Sequence, residues 1–303
     1  MASLRDIKRR IKSIQNTQKI TQAMRMVAAA KVKKAETRVK ASRPFSNELA
    51  ITFERLLAAK PVIPETSIQT KNALDNYPAL LQSREIKTVG ILVVSSDRGL
   101  AGAYNANVIR KAISRSKELK SQGINVKLFV VGLKGLNALK RSGLEISENY
   151  VRLPVVPTIG VARVIAEDLA EYYVRGDIDR IEVITTNFKS MLSFEVQVWQ
   201  VLPVIIQVEK DGSQGKPHPE MVFEPSPEVV LQSIVPLYIS NRIYQAMLEA
   251  SASELAARMS AMSSATSNAA DMIQYLTIVY NKARQASITQ EILEVVSGAN
   301  ALT

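Results

Sequence analysis

Residues 244–293, YQAMLEASASELAARMSAMSSATSNAADMIQYLTIVYNKARQASITQEIL, decide the fold. Steps of four and three from Tyr244 land on Leu248, Ser251, Leu255, Arg258, Met262, Ala265, Ala269, Met272, Leu276, Val279, Ala283, Ala286, Gln290 and Leu293. Eleven of these fifteen positions are plainly apolar; Ser251, Arg258 and Gln290 are polar and Tyr244 is amphipathic. A 3.5-residue repeat held over about seven heptads specifies a left-handed coiled coil. Small seam residues (Ala265, Ala269, Ala283, Ala286) suit close helix approach. Ser226 reads as the N-cap, Pro227 as the first helical residue and Glu228 as a favourable first-turn acid. Pro236 is expected to kink the helix soon after.

The other end of the chain carries a partner. From Ser3 to Leu57 there is no glycine, and Pro44 is the single proline. A weaker seam runs through Leu4, Ile7, Ile11, Ile14, Gln18, Thr21, Arg25, Ala28, Val32, Ala35 and Val39. Helices of these lengths would reach roughly 80 and 100 Å, against about 30 Å for a small domain. The termini must therefore cover each other, a partner, or both. Joined through a domain between them, they should run antiparallel. Polar seam residues fix register or mark a stretch that faces something other than the sister helix.

The middle has a different grammar. IKTVGILVVS (86–95) is a buried-strand run, followed by the turn DRGLAG (97–102) and a helix to about Leu119. NVKLFVVG (125–132) is a second strand, with a short helix over 136–141 after it. A helix over 158–174, a strand RIEVITT (180–186) and an alternating strand pair over 194–208 complete the pattern. Strands alternating with helices imply a mainly parallel sheet covered on its faces, a Rossmann-like α/β domain. The expected organisation is an N-terminal coiled-coil helix (1–60), a linker (61–84), the central domain (85–225) and a C-terminal coiled-coil helix (226–303).

Composition narrows the chemistry. The chain has 303 residues, is 47% apolar and contains no cysteine, which excludes disulfides, thiolate metal sites and thiol switches. No run of about 18 apolar residues is present, so no membrane span is expected. The start, MASLRDIKRRIKSIQ, lacks an apolar core and cleavage site; because its heptads continue unbroken past Gln15, it reads as mature protein. The net charge of +11 is lopsided: Arg5–Lys40 holds twelve Lys/Arg against Asp6 and Glu36. That is either a solvated face or a surface for an acidic protein, nucleic acid or another anionic partner. DRGLAG sits where a phosphate site could form, but lacks the Lys-Ser/Thr and glycine spacing of nucleotide loops, and reads as a structural turn. The single histidine, His218, lies in GSQGKPHP (212–219), so neither a zinc site nor a Ser-His-Asp triad is expected. Glu167, Asp168 and Glu171 read as one solvated helix face. No catalytic residue, cofactor or metal is expected.

Three stretches carry a resemblance: IQNTQKITQAMRMVAAAK (14–31), SSDRGLAGAYN (95–105), and the C-terminal SELAARMSAMSSATSNA (253–269) with NKARQASITQEILEVVSGA (281–299). In order, spacing and domain plan they resemble the γ subunits, or central rotor shafts, of F-type ATP synthases, over essentially the whole chain. The resemblance implies an antiparallel coiled coil inserted, one copy at a time, into a ring of three α and three β subunits. The α/β domain would sit below with the ε subunit and the membrane ring of c subunits. It further implies that ion flow turns the shaft, that the shaft drives the β sites through their conformations, and that the chain is non-catalytic. The expected place is the cytoplasmic face of a bacterial plasma or thylakoid membrane, peripheral, with no nucleic acid bound.

By the same resemblance Met24, Arg25 and Met26 match the shaft motif near the β subunits. Arg284 and Gln285 match a pair contacting a β loop, with Thr289 and Gln290 one turn on, and Arg258 is the arginine of the A-A-R-M motif. Lys31, Lys33 and Lys34 would face the acidic segment that β subunits present. Each could equally be ordinary coiled-coil surface, and Arg258 and Gln290 could be register devices. Plastid relatives carry an inserted cysteine-bearing regulatory segment; here residues 186–224 are short and cysteine-free, so thiol control is not expected. The foot meeting the c ring would include residues 202–220. A basic coiled-coil scaffold for nucleic acid or another acidic partner is the alternative, and a stand-alone α/β enzyme comes third.

Overall fold

The computed structural model describes residues 3–58, 72–204 and 223–300. His218 and most of the expected c-ring foot lie outside the described residues. The chain divides into two compact units, one of Met1–Ala30 with Arg258–Thr303 and one of Lys31–Ala257.

Both terminal segments are single helices. Helix α1 spans Leu4–Ala58 through Pro44. Ser3 starts it: the Asp6 N–H donates to Ser3 Oγ at 3.2 Å, and Ser3 Oγ donates to Asp6 Oδ2 at 2.8 Å. The C-terminal helix spans Pro227–Asn300 and is continuous through Pro236. Its start follows the expected cap, with the Val229 N–H donating to Ser226 Oγ at 3.4 Å.

In the first unit the two helices bury one stripe each, with Ile7, Thr21 and Ala28 facing Met262, Ala269 and Leu276. Every seam position expected on α1 in this unit is buried or half-buried. Thr266 Oγ1 donates to Thr21 Oγ1 at 2.9 Å. Seventeen residues back from Thr21 is Leu4, and seventeen on from Thr266 is Ala283; both are half-covered, and from Arg284 to Ser297 every residue but half-covered Ser287 is exposed. The pair is therefore antiparallel. The counted seam needs one correction: Met272 is 49% exposed, whereas Ile273 and Tyr280, one residue beyond the counted Met272 and Val279, share the covered face. A straight helix of 3.6 residues per turn drifts by about 20° per heptad from a 3.5 repeat, which moves the covered position on by one. A second correction concerns the end: Ala286, Gln290 and Leu293 are exposed, so the seam has no cover there.

The second unit is built on five strands: β1 (Thr88–Val94), β2 (Asn125–Val131), β3 (Ile146–Tyr150), β4 (Arg180–Ser190) and β5 (Ser193–Leu202), in the order β3-β2-β1-β4-β5. The first four run parallel and β5 pairs antiparallel with β4. Before β1 lies α2 (Tyr77–Leu81) and between the strands lie α3 (Tyr104–Ser121), α4 (Leu133–Lys140) and α5 (Ile159–Val174), so the long C-terminal helix is α6. Alternation in the strands serves two cores. Leu92, Phe129 and Val183 pack under α5 with Phe53 and Leu56 of α1 and Leu231, Ile239 and Ile243 of α6. Ile91, Val93, Leu128 and Ile184 pack under Val108, Ala112 and Leu119 of α3.

The strand readings need two changes. β3 (ISENY) is an addition to them, because an edge strand buried on neither face is polar in sequence. The expected strand pair over 194–208 is, among the described residues, one strand ending at Leu202. Within the stretch read as a linker, residues 73–81 form a 3-10 turn and α2, burying Leu74, Tyr77 and Leu80.

Candidate partner interface

In parallel sheets ligands bind outside the carboxyl ends of the strands where the order reverses, here between β1 and β4. That crevice is filled from within. Ala257 of α6 joins the core that holds Val93, Tyr104 and Ile184. Thr185 Oγ1 donates to the Ala246 carbonyl at 2.8 Å, and the Tyr104 phenol donates to the Val94 carbonyl at 3.2 Å. Burial above all, with Glu254 nearby, pushes the Tyr104 hydroxyl well above its ordinary pKa of 10, so it is no general base.

The neighbouring helix terminus is equally occupied. The N–H groups that would hold phosphate at the start of α4 donate in turn to Asp97 Oδ1 (Leu133, 2.9 Å), the Ser96 carbonyl (Lys134, 3.0 Å), Ser95 Oγ (Gly135, 3.0 Å) and the Gly132 carbonyl (Leu136, 3.1 Å). The aspartate of DRGLAG is thus the cap of α4. That bond gives the first residue of the motif a structural role.

What the molecule exposes is helix surface. Arg25 is half-buried on the covered side beside Thr21, Met24 is half-buried, and Met26 is 58% exposed. The Thr21–Thr266 pairing sets Arg25 level with Met262 and Ala29 level with Arg258, so Met24, Arg25, Met26 and half-buried Arg258 cluster within two helical turns. Arg284, Gln285, Thr289 and Gln290 form a second group, all exposed, roughly 40 Å further along α6. There Thr289 Oγ1 donates to the Gln285 carbonyl at 2.9 Å and Gln290 Nε2 to Glu294 Oε1 at 3.0 Å. Gln290 is therefore not a register device between the helices. Lys31, Lys33 and Lys34 are exposed on α1 of the second unit.

Sequence reading missed further members of this surface. Ile20, Val27, Tyr275 and Ile278 are 60%, 55%, 63% and 62% exposed, and Ile288, Ile292, Val295 and Val296 are exposed beyond the paired region. The available signal was their position off the seam: apolar residues there have no partner in their own chain. Among the described residues no helix is long and apolar enough to cross a membrane, and no group of three His, Cys, Asp or Glu side chains could hold a metal.

A sequence-family model described as ATP synthase matches residues 3–302. Chains named ATP synthase gamma chain match over the full length of both proteins: that of Nostoc punctiforme is 43% identical and that of Heliobacterium modesticaldum 44%. The chain belongs to the ATP synthase gamma-chain family. The alignment with the Nostoc gamma chain spans 326 positions against 306 with that of Heliobacterium, so relative to this chain the cyanobacterial protein carries more added sequence. Among solved structures, a chain of the Euglena gracilis mitochondrial ATP synthase (OSCP/F1/c-ring) superposes with a TM-score of 0.68 at 15% identity, covering 99% of this chain and 94% of that one. A chain of the Tetrahymena thermophila central stalk/c-ring gives 0.55 at 23% identity, covering 81% and 99%. Both likenesses are of fold, over most of this chain.

Proposed function

We propose that this gamma chain is the central-stalk rotor of a rotary ATP synthase, one copy turning inside three α and three β subunits, with the c ring and ε subunit at its sheet-bearing end. It couples ion flow to ATP synthesis and carries no catalytic residue of its own. The single observation that supports this best is the occupied switch point: where related sheets bind nucleotide, Ala257 of α6 and Tyr104 pack into the core between β1 and β4. The chemistry then belongs to partners, and this chain contributes shape and charge.

The contacts follow from exposure. Met24, Arg25, Met26 and Arg258 form one contact zone with the β and α subunits, and Arg284, Gln285, Thr289 and Gln290 the other. Lys31 and Lys33, with Lys34, supply long-range attraction to acidic β-subunit surface, which biases rotation without locking one angle. The chain is peripheral, held through the complex on the cytoplasmic face of a bacterial plasma or thylakoid membrane. In this reading the sequence limits 1–60, 61–84, 85–225 and 226–303 stand for shaft, connection, sheet domain and shaft, with Lys31–Ala257 forming one compact unit around the sheet.

The test is assembly of the full complex with Lys31, Lys33 and Lys34 changed to Gln. The expected result is an intact complex whose ATP-driven ion uptake falls relative to hydrolysis. Unchanged coupling would remove the charge role. A chain that copurifies with no ATPase subunits would remove the rotor role itself.

A further inference from the structure

Glu249 of α6, only 3% exposed, accepts four hydrogen bonds outside the proposed contact zones. Its Oε1 accepts from Arg43 Nε at 2.9 Å and Gln245 Nε2 at 2.8 Å. Its Oε2 accepts from Arg43 Nη2 at 3.0 Å and from the backbone N–H of Phe188 at 2.8 Å. Arg43 Nη2 also donates to the Phe188 carbonyl at 2.7 Å and to Asn187 Oδ1 at 3.3 Å. One ion pair therefore joins three elements: α1, α6 and β4. Flanking bonds follow the same line, with Ser42 Oγ on Gln245 Oε1 at 2.8 Å and Asn241 Nδ2 on Ser46 Oγ at 2.9 Å.

Two physical properties decide what this node does. The apolar packing of the same region, Val32 and Val39 against Leu248, Ala252 and Leu255, is non-directional and resists separation far better than relative rotation. A bidentate guanidinium–carboxylate pair fixes both planes, so it resists rotation. Moreover the Arg43 side chain is 40% exposed while Glu249 is buried, and an ion pair open to solvent on one side contributes little net stability, while it can fix register. The node is therefore better explained by geometry held than by stability gained.

We propose that Arg43 and Glu249 are positioning residues that act as a torsional clamp, carrying twist between the sheet at Asn187–Phe188 and the helix pair. This rests on the rotor reading above. In a rotor, a twist imposed at the sheet reaches the β sites only as far as the helices cannot turn against β4; the clamp sets that limit.

The experiment uses the complete ATP synthase in sealed vesicles. Two variants are compared with the parent: Arg43→Lys, which keeps the charge and loses the second prong, and Arg43→Met with Glu249→Gln, which removes both charges yet leaves an acceptor for the Phe188 N–H. A cavity of about 470 Å³ beside Arg43, lined also by Asn187, Trp199 and Arg242, gives the new side chains room. The expected result is near-parental hydrolysis with ion uptake per ATP lowered by about twofold to thirtyfold, the span for changes inside a coupling network. Angular fluctuations of a rod fixed to the immobilised shaft should widen in parallel. Parental ion-to-ATP ratios in the assembled variants would overturn the clamp, as would equal losses of hydrolysis and uptake. If the double variant fails to assemble, Arg43→Lys decides alone by the same two readings. A parental complex that shows no coupled uptake would instead overturn the rotor reading.

Discussion

Thr21 and Thr266 meet hydroxyl to hydroxyl at 2.9 Å in a stripe otherwise made of Ile7, Ala28, Met262 and Ala269. Each also has a backbone acceptor of its own, the Gln18 carbonyl for Thr21 (3.0 Å) and the Met262 carbonyl for Thr266 (2.8 Å). Loss of one hydroxyl therefore leaves the other satisfied. Thr266→Val should cost less than about 1 kcal/mol, and the double change Thr21→Val/Thr266→Val should be close to neutral. A double-mutant cycle by urea unfolding should give a coupling of about 0.5 kcal/mol. A single change costing several times that would show the pair to be structural cement rather than a register mark.

Gly132 ends β2 at φ 92°, and a Cβ there would stand 2.5 Å from the Ser95 carbonyl oxygen, which is backbone and has little room to retreat. Gly132→Ala should lower stability by about 2–4 kcal/mol. Gly160, in the first turn of α5 with nothing within 4 Å, is the control. Gly160→Ala should raise stability by about 0.5–1 kcal/mol. Thermal unfolding of the two variants side by side checks both signs.

Asp179 gives the chain an acid limit. Burial by itself would raise the pKa of its carboxyl, but the N–H groups of Lys87 and Thr88, each at 2.9 Å, and Arg84 Nε at 2.6 Å outweigh it and hold it below its ordinary 3.8. A depressed folded pKa means the unfolded chain takes up this proton first as pH falls. The stabilisation is complete above 3.8 and disappears as pH drops through the folded value. Asp179→Asn should cost about 1–3 kcal/mol near neutrality. The gap from the parent should close at the acid end of a melting-temperature profile against pH.

The alkaline limit has the opposite sign. Burial is the chief reason that Tyr104 lies far above 10 and that Tyr173 is pushed up to about 12. Once pH passes 10 the unfolded chain loses these protons while the folded chain keeps them, so stability falls with rising pH. Tyrosinate absorbance should appear together with loss of helical dichroism, in one transition. Tyr104→Phe should move that transition to higher pH while costing about 1 kcal/mol at neutrality for the lost bond to the Val94 carbonyl. Tyrosinate appearing well before unfolding would count against the burial argument.

Periodicity was a good guide wherever one chain segment buried its own regular face. Ile7, Ala28, Val32, Val39, Leu255, Met262, Ala269 and Leu276 could all be counted off the sequence and are all buried. The runs at 88–94 and 125–131 announced themselves as strands because both faces of the sheet are covered. β3 did not, since an edge strand with exposed Glu148 and Asn149 has no apolar period. The clamp was invisible for a different reason. Arg43 looks like one more cation of a basic helix and Glu249 like a solvated acid, and nothing local in sequence joins positions 206 residues apart. Likewise DRGLAG could be judged poor for phosphate from its spacing, but that Asp97 caps α4 depends on a fold that brings residues 97 and 133 together.

The run from Arg284 to Ser297, exposed at every position but half-covered Ser287, has a consequence for how much of this protein a cell can hold. Ile288, Ile292, Leu293, Val295 and Val296 place an open apolar strip on a helix that its own chain does not cover. Such a strip invites self-association and recognition by chaperones and proteases. Copies made in excess of their partners are then expected to be removed first, which would tie the supply of this chain to that of the subunits that enclose it.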